Sequence, residues 1–153
     1  MTNRRGLYFE EFAVGDEIVT PGRTITESDV VAFAGLSGDY NSIHTDETYA
    51  AENSVFGRRV AHGLLGLSIV EGLKLRTGVC EDTALASLEW SWRFTKPIFV
   101  GDTVHAVIRI TETRATSKSD RGIVREHVSL LNQNGEVVSE GDHVMMMKRK
   151  PAA

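Results

Sequence analysis

The 153-residue sequence contains one cysteine, Cys80, and only three prolines. A single cysteine cannot form an internal disulfide or supply a cysteine-rich zinc site, so the sequence predicts a protein of a reducing compartment. Its longest mainly apolar run, residues 63–70, falls far short of the roughly 20 residues that a membrane helix needs. No N-terminal stretch has the apolar core of a signal peptide, which predicts a cytoplasmic protein without a membrane partner.

An excess of positive charge is also missing. Asp and Glu number 21 against 17 Lys and Arg, which gives a formal net charge of −4. A mildly acidic chain has no electrostatic basis for binding nucleic acid. Hydrophobic residues make up 41% and charged residues 25% of the chain, which is typical of a globular protein. The length fits one domain, so residues 1–153 are predicted to form a single domain.

The second half of the sequence alternates between apolar and polar residues with the period of β-strands. The alternation predicts long strands in four runs and a short strand before them: residues 88–95, 103–110, 123–131 and 136–147, and residues 17–23. Between the last two long runs, Asn134-Gly135 is expected to supply the positive φ of a tight hairpin turn. The pattern as a whole indicates an antiparallel sheet of about five strands.

Two helices are predicted in the first half. Thr26 and Asp29 resemble a capping box, with Asp where Glu or Gln is usual, and begin a helix that ends near Gly38. A second helix begins near His62 and runs to about Arg76, and its first ten residues are apolar on nearly every side. Such a helix must be enclosed, and the sheet is its only large partner. The prediction is an α+β fold in which a curved antiparallel sheet wraps one long central helix.

A carboxylate and an imidazole occur close together in a turn-rich segment. Asp39 and His44 are five residues apart, which directs two side chains about 140° apart on a helix and to opposite faces on a strand. The pair can converge only in an irregular loop, and Gly38, Asn41 and Ser42 are turn-forming residues. A carboxylate beside an imidazole is a candidate acid–base pair. A purely structural role for both residues is the alternative, and Asn41 is interpreted as a turn-former.

The start of the second helix has no capping side chain. Ser, Thr, Asp and Asn are absent between Arg59 and Leu65, although the first four N–H groups of a helix lack intrahelical partners. A substrate carbonyl oxygen could be their partner, since the helix dipole favours negative charge there. Gly63 allows close approach, so its N–H is the candidate oxyanion donor. Water or the preceding loop is the alternative partner.

Other candidates are less informative. His105, His127 and His143 lie in strand-like runs without metal-ligand spacing and are interpreted as structural or surface residues. A phosphate loop, a dinucleotide fingerprint and a GxSxG motif are all absent, so neither a cofactor nor a metal is predicted. Arg58 and Arg59, just before the second helix, either attract a polyanionic group or are simply solvated.

Three ordered motifs resemble those of MaoC-like dehydratases, the (R)-specific enoyl-CoA hydratases. Residues 33–46 (FAGLSGDYNSIHTD) resemble the hydratase motif, residues 56–65 (FGRRVAHGLL) resemble the approach to that family's central helix, and residues 94–104 (FTKPIFVGDTV) resemble its strand–turn–strand signature. The resemblance spans roughly residues 9–147, and three motifs in order are far more specific than one. One departure is Ser42, where the family usually has proline, which leaves the loop freer.

The resemblance implies a hot-dog fold and a homodimer, or an assembly of dimers, with sheets joined edge to edge. It implies that Asp39 and His44 are the catalytic pair, that the Gly63 N–H lies in the oxyanion hole, and that Asn41 supports the loop at the substrate site. The implied reaction is the reversible addition of water to an enoyl-CoA, a hydro-lyase reaction of fatty acid metabolism. Acyl-CoA is the implied substrate, and no cofactor is required.

Two other functions remain open because one fold hosts several activities. An acyl-CoA thioesterase would attack the thioester carbon and release free thiol. A non-catalytic subunit would bind an acyl thioester without changing it, although the intact Asp39–His44 pair weighs against this. Acyl chain length, the choice between CoA and acyl carrier protein, and the formal base of the pair are left open by the sequence.

Overall fold

Helices precede the long strands in residues 6–151, the part of the chain that the computed structural model describes. The elements in chain order are a 3₁₀ turn (Phe9–Glu11), β1 (Glu17–Val19), β2 (Arg23–Thr24), α1 (Glu27–Ser37), α2 (Ser42–Thr45), α3 (Glu47–Asn53), α4 (Gly63–Arg76), β3 (Ala84–Phe94), β4 (Thr103–Ala115), β5 (Arg121–Leu131) and β6 (Val137–Lys148). Both predicted helices and all four long strands are confirmed, although β3 begins earlier and β4 extends further than the alternation indicates. The α+β fold class is likewise confirmed.

The strands form one antiparallel sheet in the order β1-β4-β5-β6-β3, with β2 also paired to β4. The described residues thus hold six strands. The stretch predicted as one short strand divides into β1 and β2 at Pro21, because proline has no N–H to donate to the ladder. β3 lies at an edge of the sheet, and most of its side chains are exposed.

The turn between β5 and β6 differs from the tight hairpin that Asn134-Gly135 suggested. Only Gly135 of the two has a positive φ, 74°, whereas the tightest turn of this sequence type needs a positive φ at both positions. The Asn132 N–H instead bonds the Glu136 carbonyl at 3.0 Å, and the Asn132 side-chain oxygen accepts N–H groups from Asn134 and Glu136. Side-chain bonding from Asn132 therefore favours a longer loop.

The core lies between α4 and one face of the sheet. Leu65, Ile69 and Leu73 of α4 are buried in one cluster with apolar side chains of β4, β5 and β6. The expectation that α4 is enclosed on every side was wrong in part, because Leu64 and Leu75 are about three-fifths exposed. Within residues 6–151, every helix is too short or too polar to cross a bilayer.

A buried polar cluster joins the C-terminal half of α4 to the sheet. The Lys74 ammonium bonds the Glu126 carboxylate, and His143 Nδ1 lies 2.9 Å from Glu126 Oε1. All three side chains are almost inaccessible to solvent. The Trp90 ring stacks on His143 with centroids 4.1 Å apart, and Ser87 Oγ lies 2.8 Å from His143 Nε2. His143 therefore belongs to a buried ionic network of the core.

Glu126 carries a charge that this network stabilises. Burial raises the pKa of its carboxyl group, but the hydrogen bond from His143 and the charge and hydrogen bond of Lys74 together lower the pKa below its usual value. A lowered carboxyl pKa stabilises the fold above the unfolded-state pKa of about 4.3. That stability is lost as the pH falls through the folded-state pKa.

Glu126→Gln is expected to lower the free energy of unfolding at pH 7 by about 3–5 kcal/mol, because it leaves Lys74 buried without a counter-charge. For a chain of this size the melting temperature should fall by roughly 6–20 °C, and stability should depend less on pH below about 4.3. Thermal unfolding followed by circular dichroism from pH 3 to 7 measures both effects. Glu112→Gln, which removes an exposed ion-pairing group, is the control and should change the free energy by less than about 1 kcal/mol. Equal melting temperatures for the two variants would contradict the role given to Glu126.

Candidate active site

Asp39 lies in a short loop that follows a glycine-terminated helix. α1 ends at Ser37, and the following cap residue is Gly38, whose φ of 76° is left-handed and therefore suits glycine. Directly afterwards, the Asp39 N–H donates to Ser37 Oγ at 3.2 Å, and the Asn41 N–H donates to Asp39 Oδ1 at 3.2 Å. These local bonds orient a carboxylate whose side chain is still half exposed.

His44 lies on a one-turn helix, which corrects the expectation of an irregular loop throughout. Asn41 caps α2 by accepting the Ile43 N–H at 3.2 Å. Only residues 38–41 are irregular. The relative orientation of the Asp39 and His44 side chains is therefore set by a loop that leads directly into a helix. Ser42 is the first residue of α2, a position at which proline is also favoured. Asn41 thus supports the position of His44 through the start of this helix.

The structure brings the carboxylate and the imidazole together. His44 Nε2 lies 3.9 Å from Asp39 Oδ2. His44 Nδ1 lies 2.7 Å from the Val60 carbonyl oxygen, which can only accept, so Nδ1 carries a proton and Nε2 is the lone-pair nitrogen of the neutral ring. One water about 2.8 Å from both Nε2 and the carboxylate would bridge the gap.

The N-terminus of α4 points at the same region without a side-chain cap. The N-cap residue, His62, makes no capping bond through its side chain, as the missing Ser, Thr, Asp and Asn predicted. Its carbonyl accepts the N–H groups of Leu65 and Gly66 at 3.1 and 3.3 Å. Within residues 6–151, the Gly63 N–H donates no hydrogen bond to another backbone group. A Cβ at Gly63 would lie 2.6 Å from the Phe94 ring, so glycine permits this close packing.

One cavity of about 590 Å³ contains all three groups. Asp39, His44 and Gly63 line it, and most of the remaining wall is apolar: Phe33, Phe56, Val60, Leu64, Phe94 and Ile98. A largely apolar pocket of this size with a few converging polar groups is typical of a small-molecule site. The apolar wall suits an acyl chain, and the polar groups suit the reacting end.

His62 is a residue of the site whose importance the sequence interpretation missed. Its ring contacts the His44 ring with centroids 3.9 Å apart and planes tilted by 30°, and its Nε2 lies 2.9 Å from the Asp39 carbonyl oxygen. The only signal in the sequence was its position directly before Gly63.

Asp39, His44 and His62 are also the cluster that could hold a metal ion, since one ligand atom of each lies within 4.8 Å of the others. The 3.9 Å between His44 Nε2 and Asp39 Oδ2 is also a separation that one bridging water can span, as an acid–base pair requires.

The two arginines before α4 have different environments. Arg59 bonds Glu27 at 2.8 and 2.9 Å and Glu47 at 2.6 Å, so it ties α1 to α3 around the His44 helix. The hydrogen bonds that Arg59 donates to Glu27 and to Glu47 raise the pKa of its guanidinium group above the usual value. Arg58 lies over the Phe99 ring at 4.1 Å. Arg59 is therefore a structural anchor.

Comparison with known proteins decides the family. Residues 10–130 match the MaoC like domain. The chain belongs to this family. Protein MaoC of Klebsiella aerogenes is 45% identical over 114 residues, which are 74% of this chain and 33% of that protein. The (R)-specific enoyl-CoA hydratase of Rhodospirillum rubrum is 33% identical over 145 residues, which are 92% of this chain and 91% of that protein.

The MaoC-like chain also has the fold that the resemblance implied. A Mycobacterium tuberculosis protein described as having a double hotdog fold superposes with a TM-score of 0.86 over 97% of this chain and 46% of that one. Their sequence identity is 19%, so this likeness shows the fold alone. The hot-dog fold and the family resemblance are both confirmed. The Rhodospirillum rubrum relative is named as a hydratase, and hydratases and dehydratases are hydro-lyases.

Proposed function

We propose that this MaoC-like protein is an (R)-specific enoyl-CoA hydratase, or 3-hydroxyacyl-CoA dehydratase, that adds water reversibly to an α,β-unsaturated acyl thioester without a cofactor. One observation carries the proposal: Asp39, the free Nε2 of His44 and the unpaired Gly63 N–H line a single cavity with an apolar wall. The name of the Rhodospirillum rubrum relative, which matches over nearly its whole length, supports it.

Hydration needs three things from the protein: a positioned water, a proton for Cα, and stabilisation of the enolate oxygen. Asp39 and His44 Nε2 hold one water and accept a proton from it as its oxygen bonds to Cβ. The electron pair of the double bond moves towards the thioester oxygen, where the Gly63 N–H and the positive end of α4 stabilise the charge. The same two residues then return the proton to Cα. One water is consumed, and its hydroxyl group and its proton are added to the same face of the double bond.

The environment of His44 suits this exchange. Its Nδ1–H is engaged by the Val60 carbonyl, which anchors one edge of the ring and leaves Nε2 available to gain and release a proton. Asp39 stabilises the charged imidazolium that forms when the proton is accepted. The two side chains therefore act as a unit in the proposed reaction.

Crotonyl-CoA tests the proposal against the two alternative functions. We expect the enone absorbance to fall without release of free thiol, and chiral analysis to identify (R)-3-hydroxybutyryl-CoA. Thiol release with a thiol-reactive dye would instead identify a thioesterase. Binding of crotonyl-CoA without any change in absorbance or thiol would identify a non-catalytic subunit. Either of these two results would overturn the proposed hydration.

We also propose a homodimer joined through the edge strand β3. Among the residues that the structure describes, Leu85, Leu88 and Phe94 are large apolar side chains on this edge that remain about half exposed, and an open edge offers unpaired backbone groups to a second strand. Light scattering should give twice the protomer mass of 16.8 kDa or a multiple of that dimer mass. Leu88→Lys should shift the mass towards the protomer because it charges the interface. A protomer mass for the wild type would contradict the dimer.

A further inference from the structure

We propose that His62 is a positioning residue that holds the Asp39 loop, the His44 ring and the N-terminus of α4 in one fixed unit; this role rests on the proposed hydration. His62 is buried, with about 3% of its surface exposed. It directly precedes Gly63, so any constraint on its side chain acts on the peptide unit that carries the candidate oxyanion donor. The chain therefore offers a physical link between the group that activates water and the group that binds the thioester oxygen.

The first part of the link is a hydrogen bond to the loop. His62 Nε2 lies 2.9 Å from the Asp39 backbone oxygen, and a carbonyl oxygen only accepts, so Nε2 carries the proton and donates it. The other described bonds of Asp39 run to residues within two positions of it. The bond from His62 therefore anchors this exposed loop to the central helix.

The second part of the link is a set of three rings in contact. The His62 ring lies between His44, with centroids 3.9 Å apart and planes tilted by 30°, and Phe33, with centroids 5.0 Å apart. The Nδ1–H of His44 already bonds the Val60 carbonyl, but one bond leaves the ring free to tilt about it. Contact with the His62 ring removes that freedom, so Nε2 of His44 remains directed towards Asp39.

The third observation is an unused polar atom. His62 Nδ1 is buried and has no hydrogen-bond partner among residues 6–151, and His62 lines the cavity. A buried acceptor without a partner costs stability, and such a cost is tolerated where the residue is needed for another purpose. Because Nε2 is used for the loop and the ring face for His44, both uses require an imidazole in this orientation.

Two substitutions separate the effect of the hydrogen bond from that of the ring contact. His62→Phe keeps a ring against His44 but removes the donor to Asp39, and is expected to lower kcat for crotonyl-CoA by roughly 10–30-fold with KM little changed, since small misplacement of reacting groups is costly. His62→Gln has an amide N–H that can reach the same carbonyl, so it should restore part of kcat relative to His62→Phe. A residue that only fills space would show no such rescue.

A double-mutant cycle tests whether His62 acts through Asp39. In the Asp39→Asn background, where the carboxylate is already gone, His62→Phe should change kcat by less than about threefold. The tautomer is a separate readout: the ¹⁵N spectrum of the wild type should show the proton of His62 on Nε2 and that of His44 on Nδ1.

The outcomes that overturn the proposal are distinct. If the wild type hydrates crotonyl-CoA but His62→Phe keeps a near-normal kcat, the positioning role is rejected and the proposed function stands. The same conclusion follows if His62→Phe causes an equally large loss in the wild-type and Asp39→Asn backgrounds. A proton on His62 Nδ1 would reject the hydrogen bond to Asp39. A wild type that does not hydrate crotonyl-CoA would overturn the proposed function and the role of His62 with it.

Discussion

Asp39→Asn and His44→Ala should each lower kcat for crotonyl-CoA hydration by about 10²–10⁴-fold, the usual contribution of general acid–base groups. The asparagine amide cannot act as a base near neutral pH, and alanine removes the ring nitrogen that faces the carboxylate. Steady-state kinetics measure the loss, and melting temperatures show whether the variants remain folded. Because the two groups act on one water, the double variant should lose little more than either single variant.

Two substitutions elsewhere serve as matched controls for this pair. Asp82→Asn changes an exposed carboxyl group, and its positive φ of 60° suits asparagine as well as aspartate. His105→Ala changes a half-buried histidine on β4. Both controls should keep kcat within about twofold of the wild type, a far smaller change than the loss expected for Asp39→Asn or His44→Ala. Near-normal kcat in Asp39→Asn and His44→Ala would remove the pair from the reaction.

Gly63→Ala should lower kcat/KM by about 10²-fold. A displacement of the Gly63 N–H by up to about 1 Å has an effect of this size on catalysis. The added Cβ would lie 2.6 Å from Cε1 of Phe94, so either the ring or the first turn of α4 has to move. Kinetics with crotonyl-CoA measure the loss. Adding Phe94→Ala removes the collision and should recover part of the activity.

Gly72→Ala is the control for Gly63→Ala on the same helix. A Cβ at Gly72 meets no heavy atom within 4 Å, so the free energy of unfolding should rise by up to about 1 kcal/mol from helix propensity alone. Its kcat/KM should be unchanged. Equal kcat/KM for the two variants would show that the position of the Gly63 N–H is not critical to catalysis.

Local patterns in the sequence predicted the features that depend on neighbouring residues. The missing cap of α4 was visible because capping requires particular side chains within a few positions of Gly63. The capping box of Thr26 and Asp29 was visible for the same reason. The alternation of β4 and β5 reflects one buried face and one more accessible face, so it predicted strands directly.

Features that depend on distant residues could not be predicted in this way. Lys74 and Glu126 are 52 positions apart, so nothing near either residue indicates that the two bury a shared ion pair. Leu64 remains exposed although its neighbours are apolar, because it faces the cavity and not the sheet. The contact between His62 and the Asp39 loop also required the fold, since it joins residues 23 positions apart.

The family resemblance supplied what spacing alone left open. Asp39 and His44 are five positions apart, a spacing that indicates convergence only if the backbone conformation between them is known. The turn-forming residues of this segment did not indicate the one-turn helix α2. The resemblance named the pair, and the structure shows the loop, the cap from Asn41 and the bond to Val60 that bring it together.

Hydration of crotonyl-CoA in D₂O tests most directly whether one water held by Asp39 and His44 provides both the hydroxyl group and the proton. NMR of the product gives the relative configuration of the new C–O and C–D bonds. The mechanism predicts syn addition, with oxygen at C3 and deuterium at C2 delivered to the same face. Anti addition, or a random configuration at C2 in a product analysed before any back-exchange, would contradict it.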